Sequence, residues 1–549
     1  MSCTWHKEAI IYQIYPRSFF DSNGDGIGDL KGITQKLDYL AELGVNAVWI
    51  SPYFQSPNDD NGYDISNYRD IMPDFGTMDD WKEMISQMHK RGIKLIMDLV
   101  VNHTSDEHPW FLESKKSKDN PYRDYYIWRE GKGKKPPNNW TSFFTGKAWQ
   151  YDPDTKEYYL HMFSKKQPDL NWDNPKVREE VKDIIKFWAD LGVDGFRCDV
   201  INVISKTPGL PNGKFNPFLR GLEKVVNGPN VHKYLQEINR DAWGKYDCLT
   251  VGEMVFLNPE TANEYTKNNE LDMFFHFEHT GVDSFLGMKW FITKFKPKKL
   301  KRVFSKWQYQ LKGWNSLFIE NHDQPRSVSR FGDEGQYWAE SAKMLATMLY
   351  LQKGTPFIYQ GQEIGMTNAH FENLEDYRDI ESHNIYKLGR KIFSHKRMMG
   401  KLKYMSRDNA RTPMQWSDEK NAGFSTGTPW IKVNDNYKKI NVQNQINDPN
   451  SILSYYKQLI RLRKQNPVIL YGEYKEYYER HSTLYVYTRE YNGEKILVIN
   501  NFSKKNIKFK LIDDLKFDKY ELLISNYDVN EKIDNITLRP YETRVYKVI

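Results

Sequence analysis

The segment Gly192-Val-Asp-Gly-Phe-Arg-Cys-Asp199 decides the fold. Its apolar run, 193–198, ends on a carboxylate. Just upstream, Val177, Val181, Ile184, Ile185, Trp188 and Leu191 recur at helical spacing. Asn174-Pro175 supplies the cap and first turn of that helix. A short strand without two-sided alternation, entered directly from an amphipathic helix, points to a parallel sheet covered on both faces.

The same alternation runs outward in both directions. Candidate strands lie at 9–15, 47–50, 94–99, 193–198, 248–252, 273–277, 316–319 and 357–359. Before the third of them, Thr77 with Asp80 three residues on reads as a helix cap, and Trp81, Met84, Ile85 and Met88 form one stripe. Eight strand–helix units predict an α/β fold, a TIM (β/α)8 barrel. Two stretches break the rhythm. Residues 104–171, after strand 3, are rich in Lys, Asn, Pro, Tyr and Trp and are too long for a plain loop, so they are expected to form a small inserted domain. From 472 to 549 alternating segments such as 483–488 and 495–499 predict a C-terminal antiparallel β-sandwich. The barrel then comprises 1–103 and 172–471.

Composition narrows the class. The chain has 549 residues, 39% hydrophobic and 28% charged, an ordinary globular balance long enough for several domains. Net charge is +7, from 79 basic and 72 acidic residues that are interleaved, which argues against a nucleic-acid partner. The basic stretches 132–135 and 296–302 read as solvated loops. No window has the ~18 apolar residues of a membrane span. Three cysteines (Cys3, Cys198 and Cys248) and an N-terminus without a signal-peptide stretch predict a cytoplasmic protein, expected to be a monomer. Aromatics are 15% of the chain, with 16 Trp and 36 Tyr; flat ring faces suit stacking on sugars, although most of them serve the core.

Barrel chemistry sits at the C-terminal ends of the strands, so those ends are where to search. Strand 3 runs into Asp98-Leu-Val-Val-Asn102-His103, strand 4 into Arg197-Cys-Asp199, strand 5 into Gly252-Glu253 and strand 7 into Glu320-Asn321-His322-Asp323. Taken singly, each has an ordinary reading: a cap, an ion pair, a packed histidine, and for Asp98 a carboxylate that orients its neighbours. Together they crowd charge into one barrel mouth, which is costly unless it serves a substrate. Two carboxyl groups facing one bond, one ionised and one protonated, are what glycoside cleavage requires. Arg197, two residues before Asp199 on a strand, points to the same side and keeps Asp199 ionised, while burial raises Glu253.

These four segments, DLVVNH (98–103), GFRCD (195–199), VGE (251–253) and ENHD (320–323), resemble the signature regions of the α-amylase superfamily of glycoside hydrolases. The resemblance implies Asp199 as nucleophile, Glu253 as general acid/base and Asp323 as the stabiliser gripping ring hydroxyls, with His103, Arg197 and His322 in the glucose subsite. The insertion 104–171 looks like the family's domain B. QIYPRSF (13–19), NGYDISNY (61–68), QPDLNW (167–172), NHDQPRSVSRFGD (321–333) and RDNARTPMQW (407–416) are similar to the oligo-1,6-glucosidase and α-glucosidase branch. By that likeness Asp60, Tyr63 and Arg411 close the glucose subsite, and Phe163 and Gln167 join the substrate-binding set. The implied enzyme is an exo-acting, retaining α-glucosidase acting on short oligosaccharides. Val200 after the nucleophile is linked by the resemblance to α-1,6 cleavage, with Ala, Thr or Gly linked to α-1,4; otherwise it is a β-branched residue extending strand 4.

Residues 21–29, with oxygen donors at Asp21, Asn23, Asp25 and Asp29, a backbone carbonyl at Ile27 and glycine at the sixth position, match the front half of an EF-hand-like loop. The twelfth position is Gly32, so the bidentate glutamate is missing. The likeness makes the loop a structural Ca²⁺ site, the alternative being a self-satisfied turn; no organic cofactor is expected. Two departures stand out: Gln362, where an acidic residue is usual, and Cys198, where an aliphatic is usual. Competing readings are α-1,4-glucosidase or sucrase, trehalose-6-phosphate hydrolase and sucrose isomerase. FHFEHTGVD (275–283) is more similar to the oligo-1,6-glucosidases than to phosphate-reading enzymes, and the isomerases' Arg-Leu-Asp-Arg-Asp stretch is missing. A catalytically dead sugar-binding module is disfavoured because all three reacting carboxyl groups are kept.

Overall fold

The computed structural model describes residues 4–216, 219–515, 517–530 and 532–548; Cys3 lies outside them. Eight parallel strands close into a barrel: β1 (Ile11–Ile14), β2 (Ala47–Ile50), β3 (Lys94–Leu99), β4 (Gly195–Cys198), β5 (Leu249–Glu253), β6 (Met273–Phe275), β7 (Trp314–Leu317) and β8 (Thr355–Tyr359). Each neighbours the next in chain order, and β8 returns to β1. Ile11, Ala47, Trp49, Ile96, Leu249, Val251, Met273, Phe275 and Phe357 fill the interior with side chains. The barrel is therefore a packed core, open for chemistry only at its rim.

Helices form where caps and stripes predicted them. Helix α1 (Met78–Lys90) starts in a reciprocal capping box between Thr77 and Asp80 and buries Trp81, Met84, Ile85 and Met88. Helix α2 (Pro175–Asp190) starts with the Asn174 side chain accepting from the Lys176 N–H. Leu191 is that helix's C-cap rather than part of its stripe. The largest strand difference is at β7, which pairs two residues earlier than the apolar run 316–319 suggested. Its ladder joins Ser316 and Leu317 to Thr355 and Pro356; Phe318 and Ile319 are buried beyond the pairing as core.

The insertion after β3 carries a three-stranded antiparallel sheet, Trp128–Arg129, Glu157–Leu160 and Trp149–Asp152 in spatial order, over its own small core around Trp140, Trp149 and Met162. Its return strap, 167–170, lies against the end of β3: Asp169 bridges His103, and the Leu170 N–H donates to the Asn102 carbonyl at 2.9 Å. Buried Lys206 pins the strap through Asp169 (2.7 Å) and Asn102 (2.8 Å).

At the other end of the chain, β9 (Glu473–Tyr477), β10 (Leu484–Tyr491), β11 (Glu494–Asn501), β12 (Tyr520–Ser525) and β13 (Thr543–Val548) form an antiparallel sheet in the order β9-β10-β11-β13-β12. The pair Ile507–Phe509 and Ile536–Leu538 packs over it. Two buried arginines stand at the joint with the barrel, one inside the barrel and one crossing to it from the sheet domain. Arg463 donates to the Tyr350 and Gln352 carbonyls at 2.6 and 2.9 Å, beyond helix α3 (Trp338–Tyr350). Arg489, on β10, donates to Leu351 at 3.0 Å and Ile469 at 2.8 Å. Helix C-termini leave carbonyls unpaired and electronegative, and here they take the place of a carboxylate partner.

Candidate active site

Arg197 stands at the centre of the rim. In the ladder it lies beside Asp98 on β3 and Val251 on β5, so parallel pairing alone brings three strand-end carboxyl groups around one guanidinium. Its Nη1 donates to Asp98 Oδ1 at 2.8 Å and Asp199 Oδ1 at 2.6 Å, and its Nη2 lies 2.7 Å from Glu253 Oε2. The guanidinium also packs on Trp49 and Tyr63. Asp98, which the sequence left as an orienting carboxylate, has that place. It is fully enclosed, receives Trp49 Nε1 and the Tyr63 hydroxyl on Oδ2, and faces no open space.

Below the mouth runs a relay of neutral groups. Gln13 Nε2 can only donate, so His322 Nδ1, 2.8 Å away, accepts. The His322 proton is then on Nε2, directed at the Tyr63 hydroxyl at 2.7 Å, which donates on to Asp98. The Tyr63 and His322 rings stack at 5.5 Å and 6°. Burial pushes His322 down to about 3 and His103 down to about 4, so both are neutral.

The far wall is built of opposite charges. Arg411 Nη2 donates to Asp323 Oδ1 at 2.6 Å, and Arg407 Nη1 reaches the same oxygen at 3.3 Å. Arg407 also pairs with Asp379 (2.5 Å) and Asp60 (3.5 Å). Asp60 in turn accepts from Gln167 Nε2 at 3.2 Å, and Phe163 packs on His103 at 5.0 Å. The sequence-derived residues therefore converge on one concave site, with a revised division of labour. Arg411, expected with Asp60 and Tyr63 to close the glucose subsite, is bonded to Asp323 and the His322 carbonyl. The residue bridging Asp60 and Asp323 is Arg407, which sequence reasoning missed. Its signal was present, because Arg407 and Arg411 are four apart on one helical turn and so share a face. Gln13, Trp49 and Lys206 were also missed; nothing in their local sequence marks them.

Electrostatics separates the two central carboxyl groups. Burial raises both, and Arg197 draws both down. Glu253, further raised by Asp199 and Asp323, is pushed up to about 8, whereas Asp199 is raised to about 6. The interaction between the two raises Glu253 and lowers Asp199, so Glu253 is the one that keeps its proton. Asp323 goes the other way: burial alone would raise it, but the charged Arg407 and Arg411 hold it well below the usual carboxylate range. Environments that drive neighbouring carboxyl groups apart assign one as acid and the others as anions at neutral pH.

Val200 does not extend β4. The strand ends at Cys198, and Val200 has φ 35° and ψ 40°, in the left-handed region where a β-branched residue is rare. Cys198 and Cys248 are free and buried; Cys198, raised by burial, serves as a small filler. Gln362 is satisfied as an amide, donating to the Tyr350 and Tyr456 hydroxyls and accepting from the Tyr359 N–H; the carboxyl group comes one residue later, as Glu363 under Tyr12 and Tyr39.

The loop 21–29 is wound by alternate side chains. Asp21 accepts from the backbone N–H groups of Asn23, Gly24 and Gly26, Asn23 from that of Asp25, and Asp25 from that of Ile27. Asp29 caps the next helix through Gly32. The donor set is all oxygen, the chemistry calcium takes. Among the described residues no group of three or more His, Cys, Asp or Glu gathers as a metal site, and the side-chain oxygens of this loop are engaged by its own N–H and hydroxyl groups. Among them too, no helix is long and apolar enough to cross a membrane.

Comparison with known proteins agrees with this geometry. Residues 13–472 match the α-amylase catalytic domain, and 484–545 match the alpha-amylase SusG C-terminal domain. The chain is 60% identical to an oligo-1,6-glucosidase of Parageobacillus thermoglucosidasius and 56% identical to one of Bacillus cereus, each over the full length of both chains. Among solved structures, the trehalose-6-phosphate hydrolase of Bacillus licheniformis superposes with a TM-score of 0.95 at 48% identity, covering 99% of each chain.

A reaction needing Asp199 ionised and Glu253 protonated has a bell-shaped kcat/KM. It is expected to fall as pH drops through about 6, where Asp199 gains a proton, and as pH rises through about 8, where Glu253 loses one. A rate profile flat from pH 5 to pH 9 would remove these two groups from the chemistry.

Proposed function

The chain belongs to the α-amylase family of glycoside hydrolases, and within it we propose an exo-acting, retaining α-glucosidase that hydrolyses α-1,6 bonds at the non-reducing end of short oligosaccharides. The observation that carries this is the pairing of Asp199 and Glu253 on one guanidinium, beside a pocket walled off by the Asp60–Arg407–Asp323 bridge. A terminal glucose fits against such a wall, whereas a chain cannot thread past it. The names of the full-length relatives support the same linkage.

In this reading Asp323, with Arg407 and Arg411 behind it, grips the ring hydroxyls, and His103, His322 and Gln167 fill the remaining sides. Asp199 attacks the anomeric carbon while Glu253 gives its proton to the departing oxygen. The covalent glucosyl ester on Asp199 is then opened by a water whose proton returns to Glu253. Two displacements leave the configuration retained. Retention needs carboxyl groups roughly 5–5.5 Å apart, against about 6.5–9.5 Å for inversion. Two carboxyl groups that contact the same guanidinium, at 2.6 and 2.7 Å, lie near one another, which supports retention.

Val200 follows the nucleophile, and its β-branched side chain is stiff about the first torsion. It forms the wall between glucose and leaving group. An α-1,6 leaving group departs through an exocyclic carbon and swings clear of that wall; an α-1,4 leaving group is held close to it. Were the loop 21–29 to take Ca²⁺, Asp21, Asn23, Asp25, Asp29 and the Ile27 carbonyl would hold it, and the ion would serve structurally, fastening the chain ahead of the first helix.

Asp199→Asn is expected to lower hydrolysis of isomaltose at least about a thousandfold with the circular dichroism spectrum unchanged; a variant retaining more than about a tenth of the activity, free of contaminating enzyme, refutes the nucleophile. Initial rates compared on isomaltose, maltose, sucrose and trehalose-6-phosphate should favour isomaltose. Val200→Ala should raise the maltose-to-isomaltose ratio by roughly 10–200-fold, the range one or two methyl groups command. An unchanged ratio, or a wild type that already prefers maltose, defeats the wall. Calcium chelation is expected to lower the thermal midpoint while the rate of the remaining folded enzyme holds; a melting curve unmoved by chelator counts against the metal.

A further inference from the structure

The strained backbone at Val200 sits where the chain has two demands to meet at once. On one side, the Asp199 N–H is tied to the Leu99 carbonyl at 2.9 Å and its carboxylate to Arg197. On the other, the Val203 N–H donates to the Val200 carbonyl at 2.9 Å and opens the short helical turn Ile201–Val203. Between them the Val200 N–H donates to Glu253 Oε2 at 3.2 Å. With the N–H held there, the chain reaches that turn by reversing within one residue, and φ 35° is the reversal. A β-branched residue kept in this conformation needs surroundings that over-determine it, and such positions cluster where function requires them.

We propose that Val200 is a positioning residue for Glu253. Its main-chain N–H donates to Oε2, the oxygen that faces the Arg197 guanidinium, so the transferable proton is carried on Oε1. The inference rests on Glu253 being the acid/base. Oε2 accepts from the Val200 N–H at 3.2 Å and lies 2.7 Å from the positively charged Arg197 Nη2, and a donor and a cation on the same oxygen both disfavour a proton there. The neighbouring carboxyl groups, Asp199 and Asp323, add negative charge that favours the protonated form of Glu253. After the proton leaves, both contacts remain on Oε2, so the new carboxylate keeps its orientation and is ready to receive a proton from water. The role belongs to the main chain. The Val200 side chain can govern the leaving-group wall independently of it.

The test removes one hydrogen. Val200 is replaced by its α-hydroxy acid, which turns the 199–200 amide into an ester and leaves the side chain intact. Two substrates are compared: isomaltose, whose leaving oxygen needs a proton, and α-glucosyl fluoride, whose leaving group does not. The ester enzyme is expected to lose about 10-fold or more in kcat/KM on isomaltose and to stay within about twofold of wild type on the fluoride. Its upper pH limb should move upward, because a donor that favours the carboxylate has been removed. Wild-type rates and limb on isomaltose overturn the proposal, and so does an equal loss on both substrates, which would indicate a disturbed nucleophile. Glu253→Gln, run in parallel, isolates the underlying reading. It should lose isomaltose hydrolysis while still reacting with the fluoride, and if it keeps isomaltose hydrolysis the acid/base assignment falls together with the proposal.

Discussion

One guanidinium makes the rest of the mouth possible. Asp98, Asp199 and Glu253 are carboxyl groups on three adjacent strands, enclosed and within reach of one another. Without a cation among them, burial and mutual repulsion would leave none of them ionised at neutral pH. Arg197 resolves this by geometry. It is rigid, planar and always charged, and it presents separate N–H groups to each neighbour. Its position follows from the β3–β4–β5 register, so the closure of the barrel and the charge state of the site are one problem. Trp49 and Tyr63 pack on the same group and keep water from relaxing the arrangement.

The pocket wall applies the same rule with different parts. Arg407 gathers Asp60, Asp323 and Asp379 as Arg197 gathers its three, but from loops rather than strands. A site assembled from loops needs those loops fixed, and the return strap of the insertion supplies this. Asp169, locked by Lys206, sets the strap against His103, and the strap carries Gln167 to Asp60. The insertion is thus a lever whose short arm touches the substrate pocket.

The parts of this molecule legible in the sequence are those where one residue's chemistry and its local period suffice. Asp199 and Glu253 end apolar strands, Thr77 and Asp80 announce a helix, and both readings hold. Lys206 was not read because its meaning lies in a partner far along the chain, and nothing near it points to Asp169, 37 residues away; Arg407 carried a local signal, its four-residue spacing to Arg411, that went unread. The end of β7 was misplaced because Phe318 and Ile319 are apolar like a strand, while ladder pairing, not hydropathy, decides where a strand stops. The alternative reading of Val200, as a residue extending strand 4, came from the preference of β-branched side chains for strands. The turn that overrides this preference is imposed by the atoms around it.

The joint between barrel and C-terminal domain has a consequence for modularity. Arg489 belongs to the sheet domain, yet its hydrogen bonds run to carbonyls at Leu351, beyond a barrel helix, and at Ile469. Arg463 belongs to the barrel and lies beside it on the same carbonyls' segment. Cutting the chain at the start of the sheet would strip the Leu351 and Ile469 carbonyls of a charged donor. The catalytic barrel is therefore not a cassette that recombination could lift out and graft elsewhere. The two units have to be inherited together, and this fixes their order and spacing in the gene as firmly as the site fixes its carboxyl groups.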